Sequence, residues 1–64
     1  MNILQSELYR NGNGDRGEIM KTVSGSFLVR EYKDLCVMYY SQRFGSYGQA
    51  KHRLTVDGFV KDRR

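Results

Sequence analysis

Cys36 and His52 are the side chains best suited to nucleophilic or metal chemistry, and each occurs once in this 64-residue sequence. Covalent catalysis by a cysteine needs a base that is itself held by a third group. Cys36 instead sits in the most apolar run of the chain, Leu35-Cys36-Val37-Met38-Tyr39-Tyr40, where a cysteine behaves as a small buried hydrophobe. His52 stands between Lys51 and Arg53, in a charged stretch that suits solvent better than catalysis. One cysteine and one histidine do not make a four-ligand zinc site, and a lone cysteine has no intramolecular disulfide partner. Glu18, Glu31, Asp34, Asp57 and Asp62 show no spacing that pairs two carboxylates for acid–base work. Nothing assembles an acid, a base and a nucleophile, so the chain is expected to be no enzyme and to carry no cofactor.

Two loop motifs point the same way. Gly12-Asn13-Gly14-Asp15-Arg16-Gly17 matches G-x-G-x-x-G letter for letter. A dinucleotide site needs a strand before that motif, a helix after it and a βαβ unit around it. Here the residues after it, from Glu18 onward, are strand-like. Asn11, Asn13 and Asp15 also fall at the first, third and fifth positions of a calcium loop. Arg16 then takes the place of the required glycine, and Thr22 that of the bidentate glutamate. The stretch reads as a turn-rich loop with glycines and asparagines for positive φ.

Binding chemistry is better represented. The net charge is +4, and it is unevenly placed. Up to Gln42 five basic residues balance five acidic ones, whereas from Arg43 onward six basic residues face only Asp57 and Asp62. The surplus cations are Arg43, Lys51, Arg53, Lys61, Arg63 and Arg64. Tyrosine and phenylalanine make up 12% of the chain, and Tyr39-Tyr40 lies in its longest strand-like run. On a two-sided sheet one of that pair is expected to face away from the core. An exposed tyrosine beside Arg43, Lys51 and Arg53 can stack a base while the cations hold phosphates. Tyr32 and Tyr47 are expected to fill the core with their hydroxyls at its rim. The candidate contact set is therefore Tyr39, Tyr40, Arg43, Lys51, Arg53, Lys61, Arg63 and Arg64.

The elements that must position these residues are short. Residues 1–10 read as a brief helix, with Leu4 and Leu8 one turn apart, or as a strand; unless docked, the adjoining loop makes 1–17 a flexible arm. Alternation over 18–23 puts Ile19, Lys21 and Val23 on one face and Met20 and Thr22 on the other. Further strands are expected over 27–33 and 35–44, joined by breaks short enough for an antiparallel meander. Ser46 with Gln49 three residues later fits a capping box, and Tyr47, Ala50 and Leu54 share a face at helical spacing. Gly58 fits a left-handed position beyond the helix end, with Phe59 folding back on Leu54. The expected fold is α+β: a small antiparallel sheet of about three strands packed by one short helix over 47–56, and a final short strand or extended basic end. The alternative is a small all-β barrel or sheet, with 51–62 as a hairpin turning at Asp57-Gly58.

A single domain of this length has a thin core. Without disulfide or metal, stability rests on tight packing or on assembly with itself or a partner. No charged start followed by an apolar run and no membrane-length apolar stretch is present, so a cytoplasmic protein is expected.

The run Phe44 to Leu54, an aromatic and then Ser46-Tyr47-Gly48-Gln49-Ala50-Lys51 opening a helix after strands, resembles small phage-encoded accessory proteins, anti-CRISPR proteins among them. The resemblance covers about half the chain and carries over no functional residue. It implies a binding protein that disables a host protein or protein–nucleic acid machine. The residues themselves also support direct, salt-sensitive nucleic-acid binding by the basic third. Cys36 is expected to be buried and inert; a thiol reagent should label it slowly in the folded protein and quickly after unfolding.

Overall fold

The computed structural model describes residues 3–34 and 37–62, and the expectation for Cys36 lies outside them. The elements run β1 (Ile3–Arg10), β2 (Arg16–Thr22), β3 (Phe27–Lys33), β4 (Val37–Phe44), α1 (Tyr47–Val56) and β5 (Val60–Lys61). They form one five-stranded antiparallel sheet in the order β4-β3-β2-β1-β5, with α1 on one face.

The fold is thus α+β as expected, with five strands in place of about three. The additional strands are the two ends of the chain. Residues 3–10 are no arm: β1 pairs with β2 on one side and β5 on the other. The Leu4–Leu8 spacing suggested a helix, but Tyr9 is buried while Leu8 and Arg10 are exposed, a period of two. Its loop is held by Asn11, whose Oδ1 accepts from the amides of Asn13 and Asp15 at 3.0 Å each. The Asp15 carboxylate also accepts from the Asp34 amide at 3.3 Å, tying this loop to the end of β3.

The helix, and not the 51–62 hairpin, forms over 47–56. Ser46 caps it by accepting from the Gln49 amide. At the other end Gly58 adopts φ +88°, and the Phe59 amide donates to Leu54 at 2.9 Å. Gly48, Thr55 and Val56 are poor helix formers, so both caps matter. Only Ala50 and Leu54 of α1 are buried.

The core lies between helix and sheet. Tyr9, Ile19 and Val29 meet Ala50, Leu54 and Phe59, with Phe27, Tyr40 and Phe44 around them. Tyr47 packs edge-on against Phe27, ring centroids 5.9 Å apart. Gly17 sits directly under Leu54 and Phe59. A Cβ there would lie 2.8 Å from a Leu54 methyl and 3.2 Å from the Phe59 ring. We expect Gly17→Ala to destabilise the fold by about 1–3 kcal/mol through overpacking, read as a lower urea midpoint with an unchanged slope.

Candidate functional site

Residues directly opposite on neighbouring strands share a face, so the register sorts the side chains. Glu7, Tyr9, Gly17, Ile19, Lys21, Phe27, Val29, Glu31, Tyr40, Gln42 and Phe44 lie on the helix side. Leu8, Arg10, Arg16, Glu18, Met20, Leu28, Arg30, Tyr32, Ser41 and Arg43 lie on the other side, where no helix packs.

That open face carries the main charge feature of the molecule. Arg10 is opposite Arg16, Arg30 is one step diagonal from Arg16, and Arg43 one step diagonal from Arg30. The arginines form a stripe across β1, β2, β3 and β4, about 20 Å long from strand spacing and rise. Arg10 is ion-paired with Asp62 at 3.2 Å. Arg16 and Arg30 are half-buried, and the Nε of each is shut off from solvent with no hydrogen-bond partner among the described residues. Met20 and Leu28 are buried on this uncovered face, as expected where arginine stems lie flat over apolar neighbours. Glu18, a carboxylate standing within the stripe, accepts the Tyr32 hydroxyl at 2.9 Å. The Arg16 guanidinium lies over the Tyr32 ring at 4.8 Å. Tyr32 is therefore a residue of the open face and not of the core rim; Tyr47 does sit at the rim, its hydroxyl donating to Glu7 at 2.7 Å.

The cations singled out by regional charge do not converge. Arg43 joins the stripe and also borders an open groove of about 750 Å³ between β4 and α1, with Arg53, Phe44, Gly48, His52 and Val56. Lys51 projects about 200° around the helix from Arg53 and does not border that groove. Lys61 lies at the far edge, ion-paired with Glu7 at 3.2 Å. Arg63 and Arg64 lie outside the described residues. Strand parity was the signal for Arg10, Arg16 and Arg30; counting charge by region conceals it.

Tyr39 and Tyr40 correct a second expectation. The register slips between Glu31 and Tyr32, so Glu31 faces Tyr40, Tyr32 faces Met38, and Tyr39 is the extra residue of a bulge. Both tyrosines then border one pocket with Glu31, Arg53 and Asp57. The Arg53 guanidinium lies 4.6 Å over the Tyr40 ring and bonds Asp57 at 3.1 Å.

Glu31 is buried at the centre of this cluster, its Oε2 without a hydrogen-bond partner among the described residues. Burial, then the adjacent Asp57 carboxylate, push its pKa up to about 7, against the pull of the Tyr39 hydroxyl and the Arg53 cation. Tyr39 is half-exposed as a residue, but desolvation at its hydroxyl and the adjacent Glu31 push that group up to about 12. No sequence spacing pairs Glu31 with Asp57; the legible sign was a glutamate at the inward parity of Phe27 and Val29. Glu7 behaves oppositely, lowered chiefly by the Tyr47 hydrogen bond. Among the described residues no group of histidine, cysteine and carboxylates could hold a metal ion, and no helix is long and apolar enough to cross a membrane.

Comparison with family models, with curated proteins and with solved structures finds no match to this chain.

Glu31 binds its proton more tightly folded than unfolded. Its stabilising contribution is complete below the ordinary pKa of 4.5 and is lost as pH rises through about 7. The contribution of Glu7, whose pKa is lowered, is complete above its ordinary range and leaves that window clear. Thermal melting should fall by roughly 5–10 °C between weakly acidic and weakly alkaline buffer, and Glu31→Gln should remove most of that fall.

Proposed function

We propose that this chain is a non-catalytic nucleic-acid-binding module that holds a single strand across its open sheet face. The arginine stripe carries the reading. Directly opposed like charges on a sheet cost stability, and Arg10 opposite Arg16 does nothing for the core. Guanidinium planes hold phosphates bidentately and stack on bases. Arg16 and Arg30 are only half-buried, and their terminal guanidinium nitrogens, rather than the enclosed Nε, are the donors for such a ligand. The DNA major groove admits an α-helix or a two-stranded ribbon, so a flat face crossed by four strands favours a single strand over a duplex. The candidate contacts become Arg10, Arg16, Arg30 and Arg43, with Tyr32 beside them. The tyrosine pair Tyr39 and Tyr40 belongs to the opposite side.

A second reading comes from the phage-type resemblance: the same face docks on an acidic surface of a host protein machine. The exposed apolar side chains around the stripe, Leu8, Met38 and Val60, favour it.

Titration of a labelled single-stranded oligonucleotide at several salt concentrations separates the two. With up to four phosphate contacts the log–log slope should be about −3. Arg16→Gln with Arg30→Gln keeps the apolar stems and should shallow the slope by about 1.4, at −0.7 for each lost contact. Lys51→Ala should leave it unchanged. No measurable oligonucleotide binding, together with capture of a nuclease-treated protein partner, supports the second reading and overturns the first; salt-independent oligonucleotide binding overturns the first alone.

A further inference from the structure

The two edges of the sheet are unlike. One is the rim of β1, which the two-residue β5, carrying Lys61 and followed by Asp62, covers only at Tyr9 and Arg10. The rest of that rim runs through the polar stretch Gln5-Ser6-Glu7 to a register break between Ile3 and Gln5. Short, charged edges resist pairing with another chain. The other is β4, eight residues long, with no proline and Arg43 as its only charge. Val37, Met38, Tyr39, Ser41, Gln42 and Arg43 are all exposed, and no backbone hydrogen bond reaches its outer side among the described residues. The bulge at Tyr39 spoils regular pairing at one end of the strand. Tyr40 to Phe44 remains a regular ladder.

We propose that two copies of this chain pair through β4, antiparallel about a two-fold axis at Gln42, to make one continuous ten-stranded sheet. The segment is complementary to itself in this register. Gln42 meets Gln42 of the other copy, Tyr40 meets Phe44 on the helix side, and Arg43 meets Ser41 on the open side. No like charges are opposed, although the chain as a whole carries +4. A foreign partner would have to supply this match, whereas a second copy does so by symmetry. Strand pairing alone buries little surface. The groove between β4 and α1, bordered by Phe44, Gly48, His52 and Val56, opens beside the axis and supplies further area, with Val56 64% exposed in the monomer. Both helices lie on one side of the joined sheet. On the other side the two arginine stripes run on from one another, a consequence that rests on the nucleic-acid reading; the pairing itself does not.

Sedimentation of the full chain should show a concentration-dependent doubling of mass. Gln42→Lys places two ammonium groups at the axis and should abolish it, while leaving the melting temperature of the dilute monomer little changed. In a Cys36→Ser background, Gln42→Cys should form a disulfide-linked dimer under mild oxidation, and Val60→Cys at the other edge should not. Oligonucleotide binding by monomeric Gln42→Lys keeps the test of the nucleic-acid reading separate. A monomer up to millimolar concentration, or cross-linking as fast through Val60→Cys as through Gln42→Cys, overturns the proposal. Dimerisation with faster linkage through Ser41→Cys overturns the register.

Discussion

Leu54 and Phe59 close over Gly17, and this contact divides the molecule into a dry side and a wet side. A sheet can be covered on either face, and the choice here is set by the one place where β2 lacks a side chain. The helix end settles into that gap, brings Ala50 over the sheet, and returns the chain through Gly58 so that β5 can pair with β1. Tyr9, Ile19 and Val29 become core because they share the parity of Gly17. Every residue of opposite parity is left facing out.

The chemistry of the outward side chains then decides the character of that face. It has few carboxylates and many guanidiniums, and its apolar centre at Met20 and Leu28 is buried without an element above it. Arginine can do this because its long stem packs while its planar head stays polar. The cost of crowding like charges is met partly by Asp62 at Arg10 and partly by the Tyr32 ring under Arg16. The centre of the stripe, at Arg16 and Arg30, has no carboxylate partner among the described residues.

The covered side holds a different balance. Glu31 is at an inward position beside the helix C-cap Asp57, and a single cation, Arg53, serves both carboxylates. Two buried or half-buried acids sharing one cation cannot both ionise without penalty, so one holds its proton near neutrality. The bulge that admits Tyr39 to this pocket also ends the regular part of the β4 edge. One extra residue thus shapes both the acid cluster and the free edge.

Much of the local structure was legible in the sequence: the meander over 18–44, the separation of Ile19 and Lys21 from Met20 and Thr22 (Val23, expected with the first pair, falls in the turn after β2), the Ser46 cap and the Gly58 turn. These depend on neighbours a few residues apart, and alternation and capping report them directly. The strand state of residues 3–10 was open, because Leu4 and Leu8 fit either period until Tyr9 found a core. The arginine stripe was not legible as a site, since Arg10, Arg16, Arg30 and Arg43 come from four strands and become neighbours only through the register. The pairing of Glu31 with Asp57, and the turning of Tyr39 and Tyr40 to one side, likewise depended on where the helix lies and where the bulge falls. Periodicity decided which residues share a face within each element. Only the packing of α1 over Gly17 decided which of those faces meets the core and which meets solvent.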